Sequence, residues 1–551
     1  MGNSSYRAPE TGPFQLENVS AFISTFPGMG LGVDDLIERL AETLVEVTSG
    51  KTLLIRLQPA SPGEPSRDWS PLHSLPFNSF AFAGQLQSLP GGVNRLFLRV
   101  NGESADRKYL NAFLGHCSRF FAHVLVQMEP EVGRGPMTEC VRRARLAYAL
   151  VRQSDTSYAR FREYNGWLKK SGKARRVYLK PALCLSAGEL AQTQEDIHRA
   201  IGATIHIYLR DCPEDDQTTR LRLGCDWPGG FCFDLRRLAR EIGRCRIGLA
   251  LSSGGAKGFA YVGVIQALEK HGIEVDAIAG CSMGAYIGAL WAYGYDSKYI
   301  LHKALELHGR WGLWKLIDPV FPPRRGFIRG EKIKNMLKAS IGDAQFCDLL
   351  RPLKVVAANL ETLESRVFDT GDVATAVQAS AAIPGVCVPV EIDGETYVDG
   401  GVVNPLPVNL LRQQGIEKVI AVNTIPTPAL MRCARERARE QVARYRAKPW
   451  WKRLLNRQLN YFAAGNILDI IQQSFIGAQI PNAEEACRHA DVVLRPINFD
   501  GTWHDFNRPR KYIALGRRVT LEHLDELKAL TKPNMVHHEY ETINHAMATA
   551  A

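Results

Sequence analysis

Gly280-Cys281-Ser282-Met283-Gly284 follows the apolar run 275–279 and precedes the helix-forming run 285–292, so it reads as a sharp turn from a strand into a helix. A serine on such a turn has its hydroxyl pushed into the open, and a glycine on either side lets the backbone turn without a Cβ clash. Ser282 is therefore the candidate nucleophile, displayed by Gly280 and Gly284. G-x-S-x-G alone is moderately specific in a chain of 551 residues with 47 glycines. Two further segments give it weight.

Upstream, residues 246–252 read as a buried strand that runs into Ser253-Gly254-Gly255-Ala256-Lys257-Gly258 before the helical stretch 259–271. Glycines between a strand end and a helix start present backbone N–H groups to an anion. This suits an oxyanion, with Gly254, Gly255, Ala256 and Gly258 as the candidate cup. A nucleotide phosphate loop does not fit, because Lys257 precedes the last glycine instead of following it. Downstream, Asp399-Gly400-Gly401 follows the strand-like 395–398. A carboxylate at a strand end with two glycines behind it can be held towards a neighbouring strand end and serve as a base. A lone Asp-Gly-Gly is more often an ordinary turn; its meaning here comes from the order glycine loop, nucleophile turn, Asp-Gly-Gly.

With these motifs in place, residues from about 246 to 425 resemble a patatin-like phospholipase domain. The resemblance extends to Glu331-Lys332-Ile333, to residues 379–385 (ASAAIPG) and to residues 393–407 (DGETYVDGGVVNPLP), and a weaker tail over 466–496 carries it to about 520. It implies a three-layer α/β/α catalytic domain and a serine–aspartate dyad, with Ser282 attacking an ester carbonyl, Asp399 as general base and the loop amides holding the oxyanion. It calls for no metal and no cofactor, and for a phospholipid or lysophospholipid substrate. Family members usually have glycine where Ser253 stands. Two other readings follow from the same residues: a catalytically impaired lipid-binding or scaffold protein, and an α/β-hydrolase triad of Ser282 and Asp399 completed by His489 or His504.

The length suggests more than one core, and 45% hydrophobic with 23% charged residues is ordinary for a globular protein. No apolar run reaches the roughly 18 residues of a spanning helix, and the start has no apolar signal core. Tyr6 stands where a myristoylation signal needs Ser or Thr. Twelve scattered cysteines fit reduced thiols in a cytoplasm, and Cys281 reads as packing. Much of the net charge of +11 lies between 432 and 457, where ten Lys/Arg face two Glu. Arg444, Arg446, Lys448, Lys452 and Arg453 interleave there with Trp450 and Trp451. That mixture fits a segment lying on an anionic membrane surface, each basic residue contributing about 1 kcal/mol; a solvated helical face is the plainer reading. No nucleic-acid motif accompanies it. The expected protein is cytoplasmic and peripherally membrane-associated.

Residues 1–240 alternate apolar runs (19–26, 52–57, 95–100, 123–128, 176–185, 204–209) with helix-like stretches (34–47, 107–121, 138–151, 186–201), which predicts a second, mostly parallel α/β domain. Its opening unit, with Gly28, Gly30 and Gly32, resembles a partition-type P-loop ATPase. Val33 and Asp34 stand where the phosphate-binding lysine and Mg²⁺-binding hydroxyl belong. The resemblance thus implies a degenerate, regulatory or partner-binding domain. The expected organisation is 1–240 N-terminal domain, 241–430 catalytic domain, 431–530 helical extension with the basic Trp-containing segment, and 531–551 tail.

Overall fold

The structure, a computed structural model, describes residues 15–26, 33–59, 70–71, 86–100, 104–171, 178–185, 194–205, 207–210, 230–308, 315–430, 432, 467–497 and 505–532. Two compact units divide between Cys245 and Arg246, so the helix Gly230–Ile242 belongs to the first.

The first unit is built on a sheet of nine strands among the described residues: β1 (Leu16–Ser24), β2 (Thr52–Pro59), β3 (Ser70–Pro71), β4 (Gln87–Ser88), β5 (Val93–Val100), β6 (His123–Met128), β7 (Ala144–Arg152), β8 (Lys180–Leu185) and β9 (Ile207–Arg210). Their order is β3-β5-β2-β6-β1-β7-β8-β9, all parallel, with β4 antiparallel on β5. The helices Val33–Thr48, Ser104–Phe120, Arg134–Arg143, Asp155–Ser171 and Gln194–Ile201 intervene, as a parallel sheet requires of its crossovers.

One expectation fails here. The stretch 138–151 does not make one helix: the helix stops at Arg143 and β7 begins at Ala144. Ala, Leu and Arg are good helix formers, but this segment is clamped between β1 and β8, with residues 147–151 buried. A parallel strand covered on both faces has no polar alternation to betray it. The P-loop-like turn at 27–32 lies outside the described residues; the strand before it and the helix Val33–Thr48 after it are present.

The second unit carries β10 (Ile247–Leu251), β11 (Ala277–Cys281), β12 (Leu353–Asn359), β13 (Ser365–Phe368), β14 (Val390–Ile392), β15 (Glu395–Asp399), β16 (Lys418–Val422) and β17 (Val492–Leu494). The order is β14-β15-β12-β11-β10-β16-β17, with β13 also on β12; the run from β12 to β17 is parallel and β13, β14 and β15 are antiparallel. β10, β11 and β16 are buried along their whole length, as expected where helices cover both faces.

Register assembles the strand ends. Leu251 pairs with Gly280 and with Val422, so the chain after β10 emerges between the ends of β11 and β16. Cys281 pairs with Val356, and Ala357 pairs with Asp399. The residue after Cys281 and the last residue of β15 therefore flank β12 from opposite sides. The crevice outside the carboxyl ends of parallel strands is where open α/β sheets bind ligands.

The helix Ala260–Lys270, which follows the glycine loop, is held from behind by the helix Pro509–Glu522. A Cβ on Gly263 would lie 1.9 Å from the Ile513 carbonyl oxygen, and one on Gly516 would lie 1.9 Å from that of Ala260. The two backbones touch because both contact residues lack a side chain.

Candidate active site

Ser282 sits between β11 and the helix Met283–Tyr293 with φ +54° and ψ −119°. L-residues avoid positive φ, and holding one there costs on the order of 1–3 kcal/mol, so the surroundings must impose it. They do. A Cβ on Gly280 would lie 2.7 Å from Ala285 N, and one on Gly284 would lie 2.4 Å from Leu251 O. The Ser282 amide donates to Ser380 Oγ at 2.8 Å, and its carbonyl accepts from the Tyr286 amide at 3.1 Å.

Asp399 is wholly buried. Its Oδ1 accepts from the Gly401 amide at 2.7 Å and from the Cys281 thiol at 3.8 Å, while Oδ2 has no hydrogen-bond partner among the described residues. The Ser282 hydroxyl favours the charged form of the carboxylate. Burial outweighs these donors and pushes the Asp399 pKa up to about 6. Gly400 is required by space, since a Cβ there would lie 2.2 Å from Val356 O; a Cβ on Gly401 would lie 2.3 Å from Gln479 Nε2, the end of a side chain.

The glycine loop continues into a short 3₁₀ turn, Gly255–Phe259. A Cβ on Gly254 would lie 2.1 Å from Thr424 Oγ1, Gly255 has φ +54°, and a Cβ on Gly258 would lie 2.4 Å from Met283 Cγ. Ala256 is buried. Among the described residues the amides of Gly254 and Gly255 donate to no acceptor. Ser253 does not have a positive φ, so serine sits there without backbone strain; its amide donates to Pro405 O at 2.8 Å and its carbonyl accepts from Ser252 Oγ at 2.9 Å and Thr424 Oγ1 at 3.2 Å.

Ser282, Asp399 and the loop residues Ser253, Gly254, Gly255 and Lys257 line one cleft that opens to solvent, with Ile383, Thr424, Ile425, Pro426, Phe475, Ile476 and Gln479 as its other walls. Among the described residues no histidine lines it. His489 is exposed and lies 3.4 Å from Glu485; His504 lies outside the described residues. So do Arg444, Arg446, Lys448, Trp450, Trp451, Lys452 and Arg453. Among the described residues no group of His, Cys, Asp and Glu could hold a metal ion.

Several residues here escape a reading of the sequence. Ser380 holds the Ser282 backbone, and the Ala382 carbonyl accepts from the Asp399 amide at 2.8 Å, so the segment 379–385 ties nucleophile turn to carboxylate. Ser252, Tyr261 and Thr424 form a buried hydroxyl triangle of 2.9–3.1 Å that props the glycine loop. Gln479 is 3% exposed and its Nε2 has no partner among the described residues. Cys281, expected to be packing, turns its thiol to Asp399. Lys257 lines the cleft, and burial lowers its ammonium pKa to about 8.

Residues 249–412 match the family described as patatin-like phospholipase. An uncharacterized NTE family protein of Mycobacterium tuberculosis is 39% identical over 178 residues, 32% of this chain and 49% of that protein. Lysophospholipase NTE1 of Cryptococcus neoformans is 31% identical over 191 residues, 34% of this chain and 12% of that protein. The chain thus spans about half the length of the mycobacterial relatives it matches. Among solved structures, a ParA family ATPase from Chlorobium tepidum shares 12% identity at a TM-score of 0.29, covering 41% of this chain and 91% of that one, a likeness too distant to carry any argument.

Proposed function

We propose, from the premise that residues 249–412 form a patatin-like phospholipase domain, that this chain hydrolyses fatty-acyl esters of lipids through an acyl-serine intermediate. The observation that carries the reading is the unpartnered Asp399 Oδ2 in the cleft that Ser282 also lines. A buried carboxylate with one oxygen clamped and the other bare is a proton acceptor awaiting a donor.

Ser282 Oγ attacks the ester carbonyl carbon as its proton passes to Asp399 Oδ2. The carbonyl oxygen becomes an oxyanion and takes hydrogen bonds from the loop amides at Gly254 and Gly255; one such donor is worth about a hundredfold to a thousandfold in rate. The tetrahedral intermediate collapses, the C–O bond to the alcohol breaks, and Asp399 returns the proton to the leaving oxygen. Water then loses a proton to Asp399 and attacks the acyl carbon, releasing the fatty acid and restoring Ser282. A pKa near 6 keeps Asp399 ionised at neutral pH yet more basic than an ordinary carboxylate, which suits a base.

The cleft's apolar walls, Ile383, Ile425, Pro426, Phe475 and Ile476, suit an acyl chain. Lys257 gives it a cation, which favours an anionic head group, a phospholipid or lysophospholipid. The test is a fluorophosphonate probe followed by peptide mapping. Labelling at Ser282 that disappears in Ser282→Ala is expected, together with loss of p-nitrophenol release from a medium-chain ester. An unlabelled but folded wild-type chain would mean a lipid-binding module on this core.

A further inference from the structure

We propose that residues 318–330 form a docking hairpin that seats the mouth of the catalytic cleft on an anionic phospholipid surface, an inference that rests on the lipid-hydrolase reading above. The hairpin closes through Val320 N to Phe327 O at 2.9 Å and Arg329 N to Asp318 O at 3.0 Å, with an antiparallel bridge between Pro319 and Ile328. Its base is fixed to the body of the unit. Phe327 N and Ile328 N both donate to Val386 O, at 2.8 and 3.0 Å, and Val388 N donates to Ile328 O at 2.8 Å. Gly326 lies so close to residues 387 and 388 that a Cβ there would meet their backbone at 2.5–2.7 Å. The Asp318 carboxylate accepts from the amides of Gly330 and Lys332, so the one acidic side chain of the hairpin is turned back into its base.

Against this anchored base, the tip is bare. Phe321 is 96% exposed, and residues 322–325 are exposed with it. The hairpin is basic: Arg324 at the tip and Arg329 at the base are exposed and enter no ion pair among the described residues, and Arg325 meets Glu391 at 3.1 Å at the surface. A bare aromatic ring on a hairpin that also carries exposed arginines is the composition of an element that enters a lipid head-group layer while its cations meet anionic phosphates. Its position gives it a purpose. Ile328 packs in one apolar cluster with Ile383, and Ile383 lines the catalytic cleft. A hairpin seated in the head-group region would hold the cleft wall at the depth from which a lipid must climb.

The experiment uses the full chain in a Ser282→Ala background, so that binding is read without turnover, and measures co-sedimentation with phosphatidylcholine vesicles with and without phosphatidylserine. Phe321→Asp is expected to lower the partition coefficient about tenfold, the order lost with one buried aromatic side chain. Phe321→Trp should retain it. In the active enzyme, Phe321→Asp should leave hydrolysis of a soluble short-chain ester within about twofold of wild type. Should Phe321→Asp lose that activity through misfolding, Arg324→Glu/Arg329→Glu decides, with weaker binding expected on phosphatidylserine vesicles only. Unchanged sedimentation of either folded variant overturns the proposal, as does a dimer-to-monomer shift in Phe321→Asp with vesicle binding intact, which would make the hairpin a contact between copies. A chain that binds vesicles through Phe321 but cleaves no ester would refute the hydrolase reading and leave the docking surface standing.

Discussion

The two units are both mostly parallel sheets with helices between their strands, yet the described polar groups just beyond β1 differ from those beyond β10, β11 and β15. Just beyond β1 the described polar groups of the first unit are paired. Thr25 donates its hydroxyl to Leu150 O at 2.8 Å and meets Ser157, Arg160 donates to the Thr25 carbonyl at 3.3 Å, and the Arg152 guanidinium covers the Phe26 ring at 4.2 Å. At the ends of β10, β11 and β15 the second unit leaves groups unspent: two loop amides, Asp399 Oδ2 and Gln479 Nε2. The architecture is shared; the difference lies in which hydrogen bonds remain open for a ligand. Buried polar groups are ordinarily satisfied, so orphans gathered in one cleft beside Ser282 mark a candidate site.

The sharpest way to break this contrast is Asp399→Asn. It should lower kcat for ester hydrolysis by roughly 10⁴-fold, the scale on which members of a concerted catalytic set are lost, while stabilising the fold. The sign follows from the pKa. Burial raises Asp399 from an ordinary carboxylate value to about 6, so the native state loses stability as pH rises from about 4 through 6. Above that window the penalty is roughly 3 kcal/mol. Thermal unfolding at pH 8 should show Asn more stable than Asp, with the gap closing at pH 4. A destabilised Asn variant at pH 8 would mean the carboxylate is held by attraction and is not waiting for a proton.

A smaller effect is expected in the pH dependence. Hydrolysis of a neutral ester should rise through about pH 6 and stay level, whereas hydrolysis of an anionic phospholipid should also decline above about pH 8 as Lys257 loses its proton. Lys257→Met should abolish that second limb and raise KM for the phospholipid about tenfold, with the neutral ester unaffected. Equal losses on both substrates would make Lys257 a structural member of the loop. The smallest effect belongs to the first unit. Thr25→Val should cost about 1 kcal/mol in chemical denaturation and leave turnover unchanged, and a measurable fall in activity would contradict the division drawn between the two strand ends.

What the sequence discloses, and what it hides, follows the same physical line. Gly280, Ser282, Gly284 and Gly400 are legible because each answers a backbone demand, a positive φ or a backbone contact no Cβ could survive, and such demands leave glycines at fixed offsets. Ser380, Thr424 and Gln479 come from elements remote in the chain and reach the cleft only through strand register and helix docking, so no spacing announces them. β7 was hidden for another reason: its alanines, leucines and arginines favour a helix, and two flanking strands overrule them. Cys281 shows the limit of a one-residue view, since its neighbour across β12 gives the thiol an acceptor that no local pattern contains.

The glycine-to-glycine crossing of Ala260–Lys270 and Pro509–Glu522 bears on what can be transplanted. The family match stops at residue 412, but the helix carrying the glycine loop leans on backbone nearly a hundred residues later. An excised piece ending near 425 would bare that helix's contact face and lose the Phe475 and Gln479 wall. Shuffling this chemistry onto another scaffold would have to move residues 246–531 as one indivisible cassette.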